Sequence, residues 1–267
     1  MILSEQLQTN NNSFTMILRA AMNVPGVQIR RNEFLYKELS KHYSNEIVTK
    51  AIDTTPANAG ITVQEIEKIA NSCINFETNK VSLISAATGI PGGFAMFGTV
   101  PADIAQYFAH IVRVLQKLIY LYGWKELIFS EKEVDDETIN LLTLFVGIMF
   151  GVNAANNAIT KIAQSAAKKA ETTIANKALT KGVLYPVVKK VAAILGVKVT
   201  KDSFAKVVSK VVPVIGGIAS GALTYASFKP SAIRLKKYLK ELPLADPNAC
   251  QDNCGEQIID VDFEVKS

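Results

Sequence analysis

The sequence predicts an all-α protein: a compact multi-helix domain with glycine-rich apolar central helices and a mostly irregular acidic C-terminal tail. Two observations lead there. Apolar residues recur with a 3.6-residue period in nearly every patterned segment, and only the last residues alternate by two. Three long stretches, Val81 to Ala102, Thr138 to Thr160 and Val211 to Phe228, carry no charge. Each approaches or exceeds the ~20 apolar residues that span a bilayer, yet each is broken by glycine, proline or asparagine. They read either as core helices or as helices able to exchange a protein core for lipid.

The elements follow in order. Phe34, Leu35, Leu39, His42 and Tyr43 form a helical stripe, and Thr62 with Glu65 makes a capping box ahead of Ile66, Ile69 and Ala70. That helix runs into the first uncharged stretch and should stop near Gly89-Ile90-Pro91-Gly92-Gly93. The next begins near Thr99, with Pro101 in its first turn and Asp103 near the positive end of its dipole, and closes around Gly123. Its apolar residues lie on nearly every side, as in a buried helix. After the acidic block Glu131, Glu133, Asp135, Asp136 and Glu137, a helix carries Ile139, Leu142, Phe145 and Met149. Its Gly147 and Gly151, one turn apart, suit close helix packing. Further helices are expected from Ala158 to about Lys181, from Pro186 to Leu195 and from Ser203 to about Val212. Pro213, Gly216, Gly217, Gly221 and Pro230 then predict a kinked helix or two short ones. Leu235, Tyr238, Leu239 and Leu242 alternate with Arg234, Lys236, Lys237 and Lys240 in a basic amphipathic helix. From Pro243 the chain reads as loop, with a two-residue alternation at Ile259 to Val265 that suits one added strand.

A chain of 267 residues with 49% hydrophobic residues and a mean hydropathy of +0.18 can build a substantial core. Met1 to Asn12 is polar and lacks a basic region followed by an apolar one, so the expected location is the cytoplasm. Cys73, Cys250 and Cys254 are too few for a disulfide framework and fit a reducing compartment. The net charge of +5 is segregated: residues 161–240 hold sixteen Lys or Arg against Glu171 and Asp202, or +14, which leaves −9 for the rest. Such a surface suits an anionic partner.

Gly89-Ile90-Pro91-Gly92-Gly93, then Val100-Pro101-Ala102-Asp103, Gln106, His110 and Tyr120-Leu121-Tyr122-Gly123-Trp124 together resemble the core motif of the EcsC family. Val212-Pro213-Val214-Ile215-Gly216-Gly217 through Gly221 to Phe228-Lys229-Pro230 is similar to its closing portion, and Val24-Pro25-Gly26 to its beginning. The resemblance spans Ile17 to Leu242. It implies an EcsC-like helical domain at 17–242, and leaves outside it an N-terminal arm at 1–16 and an acidic tail at 243–267 that are read from this sequence alone. The family is named after a bacterial protein encoded beside an ABC transporter. The resemblance implies no catalytic residue.

Chemistry-bearing residues are few. Asp103, Gln106, His110, Arg113 and Lys117 recur at helical spacing and form a candidate polar seam. It serves either as a structural network, with Asp103 capping its helix and His110 bonding a facing backbone, or as an acid/base pair of Asp103 and His110. Gly89, Pro91, Gly92, Gly93, Gly147, Gly151, Gly217 and Gly221 are candidate loop and packing residues. Lys206, Lys210, Arg234, Lys236, Lys237 and Lys240 are candidate anionic-lipid ligands. With His42 and His110 as the only histidines, no metal site is expected, and no cofactor. No P-loop or nucleophile elbow is present. The basic segment lacks the interleaved aromatics of a stacking platform, which argues against nucleic acid.

The leading expectation is a non-enzymatic amphitropic protein, peripherally associated with the cytoplasmic membrane face, whose partner is anionic lipid or a membrane protein complex. The alternatives are a soluble carrier with a lipid-like apolar small molecule in a cavity, and an enzyme using the Asp103/His110 pair there.

Overall fold

In a computed structural model of the chain the described residues are 14–88, 96–97, 100–127, 134–168, 185–199 and 216–246. They are overwhelmingly helical. Helix α1 (14–22) is followed by α2 (Arg31–Leu39), α3 (Asn45–Asp53), α4 (Val63–Thr88), α5 (Ala102–Leu121), α6 (Asp136–Met149), α7 (Asn153–Lys168), α8 (Tyr185–Val199) and α9 (Gly216–Lys240). A 3-10 turn at Pro243–Ala245 follows. A two-stranded antiparallel ladder, Met96–Phe97 against Val100–Pro101, precedes α5, and Pro101 stands in it rather than in the first helical turn. The sequence did not foretell this ladder.

The helix boundaries have local causes. At α4 the capping box forms: Thr62 Oγ1 accepts from the Glu65 N–H at 3.3 Å, while the Glu65 carboxylate accepts from the Thr62 N–H at 3.0 Å. Asp135 caps α6 by accepting from the Thr138 N–H at 2.7 Å. Both α5 and α6 stop on glycines at positive φ, Gly123 at 87° and Gly151 at 73°. Each is followed by a backbone bond that reaches back over the last turn, Trp124 N–H to Ile119 O and Val152 N–H to Gly147 O.

Helices α5 and α6 are buried on almost all sides and form the centre, with α4 and α9 lying against each other as the most extensive pair. The expectation that the uncharged stretches make the central layer holds in part: the second reaches the centre through α6, beside α5, which carries Arg113 and Lys117. Those stretches are divided. The second is split between α6 and α7, and the third supplies the first half of α9. Among the described residues no helix is long and apolar enough to cross a membrane.

Three boundaries differ from expectation. Phe14, placed in the arm, is fully buried with its ring edge-on to Phe108, because the first helical turn supplies core. Ala245, placed in the tail, is fully buried too, and the Leu244 carbonyl oxygen lies against Gly123, where a Cβ would stand 2.7 Å from it. Pro230 lies inside α9, which continues as one helix, so of the expected kinked helix or two short ones the second is ruled out. Ser231 Oγ donates to the Ser227 carbonyl at 2.8 Å, one turn back on the same helix. The expected helix at Ser203 to Val212 and the strand near Ile259 to Val265 lie outside the described residues.

Candidate functional site

The chemistry gathers between α4 and α5 on a carboxylate that sequence reasoning missed. Glu77 is fully buried. Its Oε1 accepts from Lys117 Nζ at 2.7 Å and Arg113 Nε at 3.4 Å, and its Oε2 lies 3.2 Å from His110 Nδ1. Burial alone would raise the pKa of this acid, but the His110 hydrogen bond, the Lys117 ammonium and the Arg113 guanidinium outweigh it and hold it at about 2. An ionised carboxylate only accepts, so His110 carries its proton on Nδ1. That leaves Nε2 to accept from the Gln106 amide, 3.4 Å away.

The seam therefore exists, with Gln106, His110, Arg113 and Lys117 aligned along α5. Its partner differs from both expectations. Among the described residues His110 bonds no facing backbone: its carboxylate is Glu77 on the neighbouring helix. Asp103 is the second residue of α5, and its side chain lies outside the described ones. Both ring nitrogens of His110 are engaged and the residue is 2% exposed, so it has no free nitrogen to offer a substrate. Glu77 could have been found, since it lies on the apolar stripe of α4 with Ile66, Ala70, Cys73, Ile74 and Val81. A carboxylate in a helix's buried register requires a partner.

This chain matches no family model, no curated protein and no solved structure.

The expected lipid-binding lysines are placed differently. Lys236, 6% exposed, donates to Glu67 and Asn71 at 2.6 and 2.8 Å, and Lys240 donates to Glu67 at 2.6 Å. The two hydrogen bonds and their charges hold Glu67 at about 2 against its burial. Arg234 Nη1 donates to the Met149 carbonyl at the end of α6. Only Lys237 of these four has no hydrogen-bond or ion-pair partner among the described residues. The correction has a plain cause: the face of α9 that carries Lys236 and Lys240 packs on α4, whose Glu67 binds both and offsets one of the two charges. Of the acidic block, Asp135 turns to its own helix and Asp136 to Arg19 of α1 at 2.5 Å. Lys206, Lys210, Gly89, Pro91, Gly92 and Gly93 lie outside the described residues.

The glycines also divide. At Gly147 a Cβ would stand 2.6 Å from Val191 Cγ1 and 2.8 Å from Ala155 Cβ, so α7 and α8 both press into the space its hydrogen leaves. Gly151 is the helix stop, with the Arg234 guanidinium 3.8 Å from where its Cβ would be, rather than a tight packing contact. Gly217 and Gly221 lie in the first turns of α9.

Arg31 was also missed. It is 6% exposed, and its guanidinium donates to the carbonyls of Trp124 at 3.1 Å, Ile52 at 2.6 Å, Ala51 at 3.3 Å and Thr54 at 3.0 Å. It closes the C-terminal end of α3 and ties that end to the turn after α5. Apart from the Asn32 side chain, its acceptors are backbone atoms, which no side-chain pattern reveals. Among the described residues no cluster of three or more His, Cys, Asp or Glu is placed to hold a metal ion.

Proposed function

We propose that this is a non-enzymatic amphitropic protein that works at the cytoplasmic face of the membrane, in contact with anionic lipid or a membrane complex. The observation that carries this reading is the outer face of α4. Phe76 and Leu83 are 59% and 70% exposed there, two turns apart on one side, with exposed Lys80 between them. Lys117 Nζ lies 5.0 Å from the centre of the Phe76 ring. On α9, exposed Tyr225 carries Lys229 at 5.2 Å in the same manner. Aromatic and aliphatic side chains interleaved with lysine suit a helix face lying in a lipid headgroup layer.

The balance of forces shifts from the sequence reading. With Lys236 and Lys240 engaged by Glu67, charge contributes less, on the order of 1 kcal/mol for a lysine such as Lys80. Burial of Phe76 and Leu83 contributes roughly 1.5–3 kcal/mol each. Apolar insertion therefore leads and lysine assists. The EcsC-like motifs agree with a role beside a membrane complex and supply no catalytic group. Engagement of both His110 nitrogens speaks against the enzyme alternative.

Cosedimentation with phosphatidylglycerol-containing vesicles tests the proposal. The double variant Phe76→Ser/Leu83→Ser should keep its helical circular dichroism, since both side chains are largely in water, and bind at least ~tenfold less. High salt should weaken wild-type binding only in part. An absence of vesicle association at low salt, or association that the double variant leaves unchanged, would sink it.

A further inference from the structure

Between the end of α6, the start of α7 and the outer side of α9 lies a cleft of about 300 Å³, lined in part by Gly151, Asn153, Asn156, Arg234, Lys237 and Tyr238. Its walls are fixed before any ligand arrives. The Arg234 guanidinium is anchored by the Met149 carbonyl and lies over Gly151, where the missing side chain leaves room for it. The Tyr238 hydroxyl donates to the Asn156 carbonyl and meets Thr160 Oγ1 at 2.6 Å. One N–H of the guanidinium holds Met149, and its other donors have no partner among the described residues. Lys237 has none either.

The geometry points to a binding site for a phosphate group. A guanidinium held in place and a free ammonium are the pair that recognises tetrahedral oxyanions, Arg through its planar fork and Lys as a point charge. Asn153 and Asn156 add amide donors of the kind that complete such a shell. The first turn of α7 brings no acid of its own to the cleft. Glu241 is the one carboxylate in the lining, so the cleft keeps a surplus of one positive charge. A volume at the lower limit of small-ligand pockets admits a phosphorylated headgroup or a small phosphate ester and excludes an acyl chain. The cleft uses other groups than the membrane reading, which rests on Phe76, Lys80 and Leu83 of α4 and on Tyr225 and Lys229 of α9.

The site is tested on the full chain by following backbone amide shifts at 151–156 during titration with glycerol 3-phosphate, and in parallel by flotation with vesicles containing phosphatidic acid. Saturable shifts at these amides are expected in the soluble arm if the phosphate is free in solution. Lys237-dependent flotation without them assigns the phosphate to lipid. Lys237→Gln should weaken binding roughly tenfold, the loss of one charge-assisted hydrogen bond. Glu241→Gln should tighten it a few-fold by removing like-charge repulsion. Lys161→Gln, an exposed lysine on α7 outside the lining, is the control and should leave binding as it was. No binding in either arm, or equal losses in Lys237→Gln and Lys161→Gln, would overturn the assignment.

Discussion

Glu77→Gln removes one charge and little else, and its effect can be worked from the structure. The carboxyl falls from its ordinary value of 4.5 to about 2 on folding. At 1.36 kcal/mol per unit this difference is worth about 3 kcal/mol to the native state near neutral pH. A second route agrees. Breaking a buried pair by removing one partner costs roughly 3–5 kcal/mol, and Lys117 and Arg113, with side chains 12% and 22% exposed, would be left facing an amide. The amide also offers one oxygen where the carboxylate offered two. Either Lys117 or His110 then meets a donor. Urea unfolding at pH 7 should therefore place the variant about 3 kcal/mol below the wild type. The pH dependence follows in sign: a depressed folded pKa gives stability that is complete above about 4.5 and disappears as pH falls towards 2. Wild-type stability should decline through that window, and the Glu77→Gln curve should be flatter there. Glu67 adds a smaller slope of the same sign, because its side chain is 28% exposed. A variant within ~0.5 kcal/mol of the wild type would show that the α4–α5 contact does not depend on this ion cluster.

Two further outcomes are expected. Gly147→Leu should cost on the order of 1–3 kcal/mol by overpacking Val191 and Ala155, whereas Gly151→Ala should cost roughly 1–2 kcal/mol through its positive φ alone. Melting temperatures separate them, and a neutral Gly147→Leu would mean that α7 and α8 stand further off. Burial pushes the Cys73 thiol up to about 12, so peptide-mapped alkylation at pH 8 should label it only as fast as the protein unfolds. Prompt labelling in the native state would contradict its placement.

Where a boundary depends on a local signal, the sequence was enough. Thr62 and Glu65 start α4, and Gly123 stops α5, through bonds made within a few residues. The seam from Gln106 to Lys117 was legible for the same reason, since a 3.6-residue period is a property of one helix. What escaped depends on a second element. Arg234, Lys236, Lys237 and Lys240 follow the same amphipathic pattern whether they meet water, lipid or Glu67, and only the docking of α9 on α4 decides. Glu77 was hidden within a helix whose apolar register drew the attention, and Arg31 finds its acceptors among distant carbonyls.

The pairing of α4 with α9 also sets a timetable for synthesis. Lys236 reaches Glu67 across 169 residues of chain, so the helix that covers α4 is made long after α4 itself. At bacterial or eukaryotic elongation speeds that interval is roughly ten to thirty seconds. Throughout it, the face of α4 that ends beneath α9 is exposed on the nascent chain. α5 can dock on α4 early, because only a short segment separates them, and can shelter Glu77 while the other side waits. Closure of the fold thus waits for the emergence of α9, and truncation before Lys240 should yield a chain that associates with itself or with chaperones during synthesis rather than a smaller stable domain.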